Sequence, residues 1–471
     1  MKEKLPTAKP FALSAPPVAV ADQLELEIID LTHEGLGVAK VEGYPLFVED
    51  ALFGEVVFVE VTKTGKSYGY AWVVKRLKAS PHRVESSELV FNADLLRTGV
   101  APLIHLDYNE QLKFKQRQVV NALARIAKIP DVPVLDTLGM ENPSRYRNKA
   151  SAPVRMVDGQ LETGFFQKDS HKLTPVDDFY INDPVIDETI QKLRSILREL
   201  KVSAYDAQKH RGDVRHIVVR RGHYSHELMI VLVTRTERLP NEKQLIARVL
   251  EKIPKLTALI QNSNPQKGSV ILGKKNRVLY GEATIKDMLL GNSYQISVQS
   301  FYQVNTVMAE VLYQTAIDFA DLNKDDIAID AYCGIGTIGQ SFARGVHHVY
   351  GVDSVREAIR DARENAQLNE IENVSYVQGS AETVMGKWAQ QGISPSVIFV
   401  DPPRKGLAKS FIEAASATAA SRIIYLSCNP ATFARDVALF AGHGFQLIKV
   451  QPVDMFPHTP HVECVGLLVR R

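Results

Sequence analysis

Cysteine is scarce in this chain: 471 residues carry three, at Cys333, Cys428 and Cys464. So few and so scattered, they exclude a disulfide framework and a thiolate metal site, and they suit a reducing, cytoplasmic setting. An excess of either charge is also lacking, with 56 Lys and Arg against 54 Asp and Glu. No overall field marks a polyanionic partner, so a nucleic-acid surface must come from local basic clusters. Long apolar runs are missing too. None approaches the roughly 20 residues that span a bilayer, so no membrane partner is expected. Pro6, Pro10, Pro16 and Pro17 interrupt any apolar core a signal peptide would need. Residues 1–20 read as a flexible tail.

What is present is ordinary: 45% apolar and 23% charged residues, in a chain long enough for two or three domains. Nothing resembles a symmetric interface seam, which leaves a monomer as the default. Residues 21–79 are expected to form a small antiparallel barrel. Leu24-Glu25-Leu26-Glu27-Ile28 alternates as a half-buried strand does, and β-rich runs follow at Pro45–Val48, Glu55–Val61 and Tyr70–Val74. Short strands at this spacing suit an oligonucleotide-binding type of barrel, although a ligand-free β module fits the composition equally well.

Residues 80–270 read as a central α+β domain. Its first helix, about 108–127, places Leu112, Val119, Val120, Leu123 and Ile126 on one side and can pack on the domain that follows. A second helix spans Asp187 to Leu200, and strands are expected at Ile217–Arg220 and Leu228–Val233. Two basic clusters lie here, Arg145-Tyr146-Arg147-Asn148-Lys149 and Lys209-His210-Arg211 running on to Arg220-Arg221. A charge run is more often a solvated face. The first cluster interleaves an aromatic ring with cations, a pattern that can pair with phosphate and stack on a base. Arg145, Tyr146, Arg147, Lys149 and Arg211 are therefore candidate RNA contacts.

Residues 271–471 alternate strands and helices in their later part: strands at Ile327–Ile329, His348–Val352, Val397–Val400 and Ile423–Leu426, helices at Gly339–Arg344 and Val355–Leu368. Such alternation implies a largely parallel sheet covered on both faces. Asp330-Ala331-Tyr332-Cys333-Gly334-Ile335-Gly336-Thr337 follows the first of these strands, and Asp353 ends the next. Glycines let a turn pass close under a ligand, and a carboxylate there can accept two ribose hydroxyls. Read literally, Gly334, Gly336 and Gly339 with Asp353 also fit a nicotinamide-dinucleotide fingerprint. Asp401-Pro402-Pro403-Arg404-Lys405-Gly406 and Ser427-Cys428-Asn429-Pro430 each follow a strand at its carboxyl end, where ligands sit in open α/β sheets. A nicotinamide oxidoreductase leaves both of those motifs idle. Cys333 and Cys464 sit among apolar or glycine neighbours and read as buried filler. Glu463, inside a β-like run, is an acid whose burial needs a reason.

These motifs, with Ser300-Phe301-Tyr302-Gln303-Val304-Asn305 before them and His461-Val462-Glu463 at the end, occur in the order seen in the bacterial RNA uridine-C5 methyltransferases. The chain resembles that TrmA/RumA family over most of its length. Its amino-terminal barrel is similar to a TRAM domain, through Glu34-Gly35-Leu36-Gly37-Val38-Ala39 and Phe47-Val48-Glu49. The resemblance implies a class I, Rossmann-like α/β methyltransferase domain with S-adenosylmethionine as cofactor. It makes Gln303, Tyr332, Gly334, Asp353 and Asp401 the cofactor contacts, Cys428 the nucleophile and Glu463 the base. Arg404 joins the candidate RNA contacts and is a cation that could lower the Cys428 pKa. Departures are mild: Tyr302 stands where phenylalanine is usual, and Cys464 where threonine is usual.

Many members also hold an iron–sulfur cluster on four cysteines. Two of those positions are Thr98 and Ala101 here, and no cysteine precedes Cys333, so a cysteine-ligated cluster is excluded by count. The missing cluster, with Tyr205-Asp206 to Arg221, is similar to the RlmCD-like enzymes of Gram-positive bacteria, some of which modify two sites. This implies 23S rRNA as the RNA partner. A tRNA enzyme is the alternative within the family. A cytosine-C5 methyltransferase would set its cysteine after proline or threonine, and a non-catalytic RNA-binding protein is the remaining class.

Overall fold

Apolar–polar alternation from Gln23 onward builds the first sheet, in a computed structural model that describes residues 16–84, 98–168 and 170–471. Most of the expected tail therefore lies outside the described residues. Strands β1 (Gln23–Glu27), β2 (Asp30–Leu31), β3 (Gly37–Val41), β4 (Tyr44–Glu49), β5 (Val56–Thr64) and β6 (Gly69–Lys78) pair in the order β1-β5-β6-β4-β3-β2. The first strand changes partners midway. Ile28 N–H donates to Glu55 O at 2.9 Å, and Ile29 N–H donates to Val38 O at 2.8 Å. One chain segment thus joins both edges and closes the barrel around Ile28, Ala39, Val48, Val57 and Val59. Against the expected antiparallel barrel, β4 and β6 run parallel. The cause is topological: β5 lies on the far side of β6, so β6 returns beside β4 in β4's own direction.

The chain divides into two compact units. One holds the barrel with Val100–Gln111 and His458–Pro460, and the other holds the remaining sheets. Helix α1 (Tyr108–Ala122) continues as a π turn to Ala127. Of its expected apolar side, Val119 and Leu123 are buried whereas Val120 and Ile126 are exposed. Adjacent residues on a helix point about 100° apart, so Val119 and Val120 cannot share one face. Phe114 and Lys115 take the inward positions instead.

Central strands β7 (Lys149–Val157), β8 (Gln160–Phe166), β9 (Leu173–Pro175), β10 (Val214–Arg221), β11 (Leu228–Thr234), β12 (Leu256–Ser263) and β13 (Lys275–Gly281) form one sheet, ordered β13-β12-β11-β10-β7-β8-β9. Helices α2 (Pro184–Glu199) and α3 (Glu242–Lys252) supply Ile190, Leu193, Leu245 and Val249 to the core shared with β7, β10 and β11. Helix α2 starts ahead of the expected Asp187. Asp183 Oδ1 accepts the Val185 N–H at 2.9 Å, and Pro184 takes the first helical position, where its missing N–H costs nothing. Val218, Met229, Val231 and Ile260 join one continuous apolar cluster with residues of the last sheet, such as Ala328, Phe399 and Ile424. Between the two sheets in sequence lies the hairpin β14 (Thr284–Leu289) and β15 (Asn292–Ser297).

In the last sheet, β16 (Ile327–Ala331), β17 (His348–Asp353), β18 (Val374–Gln378), β19 (Val397–Val400), β20 (Arg422–Ser427), β21 (Phe445–Val453) and β22 (Glu463–Arg470) are ordered β18-β17-β16-β19-β20-β22-β21. Helices α4 (Thr306–Ala320), α5 (Thr337–Phe342), α6 (Arg356–Leu368), α7 (Ala381–Gln390), α8 (Lys409–Ser416) and α9 (Pro430–Gly442) accompany it. Strand β22 alone runs against the rest, paired antiparallel with both β20 and β21. This is the class I methyltransferase arrangement. A nicotinamide-binding sheet would instead continue outward with parallel strands. The order reverses between β16 and β19, which opens a crevice at their carboxyl ends. No helix among the described residues is long and apolar enough to cross a membrane.

Candidate active site

The crevice is lined first by the turn after β16. Tyr332, Gly334 and Gly336 all take positive φ, at 65°, 55° and 85°. Gly336 N–H closes the turn on Cys333 O at 2.8 Å, and Cys333 N–H ties it to Val352 O at 3.1 Å. Nothing lies within 4 Å of the point a Cβ on Gly334 would occupy, so the surface above it is open to a ligand. Asp353 reaches across from β17: Oδ2 accepts the Gly334 N–H at 3.1 Å, and Oδ1 accepts the Val355 N–H at 2.8 Å. Each carboxylate oxygen keeps a lone pair for a hydroxyl.

Two further acids face this region. Asp330 Oδ2 accepts the Gly339 N–H at 2.8 Å, while its Oδ1 is buried without a partner among the described residues. Burial raises the Asp330 carboxyl to about 7. Asp401, at the end of β19, has no hydrogen-bond partner among the described residues, and burial raises it to about 7 as well. The Tyr332 ring packs 5.5 Å from that of Phe411. Gln303 comes from the segment before α4, and this segment is held from the central sheet. Asn148 Nδ2 donates to Gln303 O at 2.9 Å and Thr306 Oγ1 at 3.0 Å, and Arg220 Nη2 donates to Ser300 O at 3.0 Å. The buried Tyr313 hydroxyl feels both Asp401 and Gln303, which brings those two residues to one place. An unpaired acid, an open glycine turn and free acceptor pairs suit a ligand with vicinal hydroxyls and a cationic centre.

Beside this crevice lie Cys428 and Glu463. Ser427 on β20 is paired with Cys464 on β22, so the next residue on each strand, Cys428 and Glu463, meets the other at the sheet's carboxyl end. Asn429 Oδ1 accepts the Ala431 N–H at 3.0 Å and starts α9, turning the chain sharply after the cysteine. Cys428 is half-buried, whereas Cys333 and Cys464 are buried. Burial, then Asp401, pushes the Glu463 carboxyl up to about 8, with Arg404 opposing.

Burial, then Glu463 and Asp401, pushes the Cys428 thiol up to about 11. The direction is opposite to the lowering expected from the sequence. Arg404 does pull the thiol down, but it is solvent-exposed, and burial with two acids outweighs it. Removing an acid should therefore activate the resting thiol. Iodoacetamide alkylation of Cys428 is expected to rise with pH through about 11 rather than the ordinary ~8.5. The midpoint should fall in Glu463→Gln and rise in Arg404→Ala. An unchanged midpoint in both variants would contradict the electrostatic picture.

The basic clusters are placed differently from expectation. Tyr146 is 7% exposed and its hydroxyl donates to Pro457 O at 3.1 Å, so its ring is closed to a stacking base. Arg145 forms a salt bridge with Asp178 and donates to Phe179 O at 3.2 Å. Lys149 is half-buried at the start of β7, its ammonium brought down to about 8 by burial, Arg220 and Arg147. Arg147 is half-buried, while Arg211 and Arg404 remain exposed. In the second cluster Arg215, His216 and Arg220 are buried within β10. Strand β10 lies between β11 and β7 and is buried at every position but its last, so its charged residues are inside whichever way they point.

A buried ion pair also went unread. Lys115 Nζ donates to Asp454 Oδ1 and to Phe456 O (3.1 Å), with both charged side chains fully buried. It anchors the segment leading to Glu463. Lysine at the i+3 position between Leu112 and Val119 was the available signal, a cation in an apolar stripe. Lys115→Met removes the cation from buried Asp454 and is expected to cost about 3–5 kcal/mol, read by denaturant unfolding, whereas Lys115→Met with Asp454→Leu should recover much of that loss. Among the described residues no cluster of His, Cys, Asp or Glu is placed to hold a metal ion.

Comparison with known proteins agrees with this geometry. The chain matches the tRNA (Uracil-5-)-methyltransferase family over residues 107–471 and the TRAM domain over residues 17–74. An RNA methyltransferase of Streptococcus mutans is 53% identical over 449 residues, covering 95% of this chain and 99% of that protein. One from Streptococcus agalactiae is also 53% identical, with the same coverage. Among solved structures, the Pyrococcus abyssi tRNA (uracil-54, C5)-methyltransferase in complex with S-adenosyl-L-homocysteine superposes with a TM-score of 0.77. It is 27% identical, covering 94% of this chain and 99% of that one.

Proposed function

Because this chain belongs to the tRNA (uracil-5-)-methyltransferase family, we propose that it methylates carbon 5 of uridine in 23S rRNA through a covalent bond to Cys428. The observation that carries this reading is the pairing of Ser427 with Cys464, which sets a half-open thiol opposite a buried acid. S-adenosylmethionine fits the crevice through Gln303, Tyr332, Gly334, Asp353 and Asp401, with the unpartnered Asp330 oxygen beneath. Once bound, it supplies an electrophilic methyl group on a cationic sulfur.

Carbon 5 of uracil is too weak a nucleophile to take that methyl unaided. The Cys428 thiolate adds at carbon 6, and the carbon 5–carbon 6 electron pair moves into the ring carbonyl as an enolate. With the donor held by Gln303, Tyr332, Gly334, Asp353 and Asp401, carbon 5 of the enolate would take the methyl group, the electron pair of the broken bond staying on the donor's sulfur. Glu463 then takes the carbon 5 proton, the double bond re-forms, and the carbon–sulfur bond breaks to return the thiolate. Glu463, raised to about 8, is a base suited to a transfer near neutral pH. The target uridine must leave its stack to expose carbon 6, which asks for a splayed or flipped base.

The TRAM barrel, the chain length and the absence of cluster cysteines favour 23S rRNA, handled in the cytoplasm by a monomer. Whole-length likeness to a tRNA (uracil-54, C5) enzyme favours a second reading, tRNA. Mapping 5-methyluridine in RNA from cells with and without the protein separates them. Loss from 23S rRNA is expected, and loss from tRNA alone would overturn the ribosomal assignment.

A further inference from the structure

A recess of about 540 Å³ opens on the central sheet, lined by Arg155, Met156, Phe166, His171 and Tyr205 with the turn that follows Tyr205. Half-buried Arg155 and buried Arg215 meet there, and the carboxylate that acts on Arg155, Asp206 on the rim, forms no salt bridge with it among the described residues. Arg155 Nη1 donates only to carbonyls, Val154 O at 2.8 Å and Arg215 O at 3.1 Å. Arg215, 2% exposed, lies behind Tyr205, with its guanidinium 4.5 Å from the ring centre and its Nε without a partner among the described residues. Neither has a carboxylate within salt-bridge distance among the described residues. The acid opposite Arg155 across the strand pair, Glu162, is engaged by Arg194 and Arg198. Asp206, on the rim, accepts the Gln208 and Lys209 N–H groups at 2.9 and 3.1 Å and lies 3.8 Å from Lys209 Nζ.

Burial, then repulsion from Arg215, lowers the pKa of Arg155, with Tyr205 and Asp206 opposing without reversing the direction. A buried cation left unpaired is costly, and an incoming anion relieves that cost. The walls add π surface: Phe166 is half-buried, His171 is exposed 6.4 Å from it, and Arg155 sits 5.4 Å over the Phe166 ring. Cation and ring side by side match a phosphate and its base. Lys172 and Lys209, next in the chain to His171 and Gln208, are both exposed and add positive charge to the rim.

We propose that this recess is a second RNA subsite, holding an unpaired nucleotide outside the reacting uridine with its phosphate on Arg155 and its base against Phe166 and His171. Arg155 lies six residues along β7 from Lys149, roughly 20 Å from the strand end that holds the Gln303 segment. The subsite therefore reads flanking RNA, and it rests on the proposal that RNA is the substrate.

The test is equilibrium binding of a fluorescein-labelled oligouridylate to the full-length protein across a salt series. Phe166→Ala and His171→Ala are each expected to raise Kd about tenfold. Arg155→Gln should weaken binding and reduce the slope of log Kd against log salt by about one. The exposed His171 keeps the test valid should either other variant fail to fold. Wild-type affinity and slope in the variants that fold would overturn the proposal. So would displacement of the oligonucleotide by uridine monophosphate at equal affinity, which would mark a free-nucleotide site. Binding is read without methyl transfer: a wild-type protein that binds through the recess yet transfers no methyl group would sink the catalytic reading and leave this one standing.

Discussion

Cys428→Ala is expected to lower methyl transfer to RNA by at least about 10⁴-fold, because the substitution removes the covalent route rather than slowing it. Without sulfur at carbon 6 the ring stays aromatic-like and carbon 5 carries too little electron density to displace a sulfonium. The effect should be confined to chemistry. Cys428 is half-buried at a strand end, so alanine leaves only a small gap there, and of the crevice acids Asp353 ends β17 and Asp401 follows β19, at the ends of other strands. Cofactor affinity measured by calorimetry should stay within about twofold, while transfer of radiolabelled methyl disappears. A variant that retained near wild-type transfer would remove the nucleophile from the account.

Glu463→Gln should behave differently, and the contrast carries as much information as the loss. Thiolate addition and methyl transfer come before the proton is lost, so this variant is expected to stall after forming the covalent complex. Turnover should drop about 10²–10⁴-fold, the usual range for removing a positioned base, and a protein–RNA band stable to denaturing electrophoresis should accumulate. Glutamine is neutral, as Glu463 largely is below its value of about 8, so the buried site should accept it without unfolding. In the wild type the same value fixes a direction with pH. A base must be unprotonated to act, so turnover limited by proton removal should rise as pH approaches 8 and level off above it. Rapid turnover of Glu463→Gln with no adduct would assign the proton to another group.

Legibility in the sequence followed the strength of local signals. The last sheet was readable because its strands are short apolar runs, each ending in a turn with distinctive chemistry, as at Asp330–Gly336, Asp401–Arg404 and Ser427–Pro430. These motifs converge because parallel strands bring their carboxyl ends to one edge. Strand β7 was not readable. Its inward residues Ala150 and Ala152 are small, and the Arg145–Lys149 run before it looks like a charged loop. Strand β10 was legible as a strand at Ile217–Arg220, but Arg215 hid its start at Val214, and Arg215 and Arg220 disguised a segment whose every position but the last is buried. Their guanidinium groups bind backbone carbonyls, which no sequence period reveals.

The electrostatics were legible in part. Sequence supplied Arg404 as a cation near the thiol, and the structure does place its charge there. It could not weigh that cation against burial and two acids, which together set the resting thiol at about 11. Asn148 shows a similar limit. It sits inside a basic cluster that draws attention to its neighbours, yet it is the residue that ties the Gln303 segment to the central sheet.

Covalent capture at Cys428 is the central claim, and 5-fluorouridine RNA tests it most directly. Fluorine in place of the carbon 5 hydrogen permits thiol addition and methyl transfer but cannot leave as a cation, so the cycle stops with RNA attached. Incubated with S-adenosylmethionine and digested, the complex should yield one modified peptide in mass spectrometry, bearing a methylated fluorouridine on Cys428. Methylation of ordinary uridine RNA alongside no such adduct, or an adduct on Cys333 or Cys464, would contradict the account.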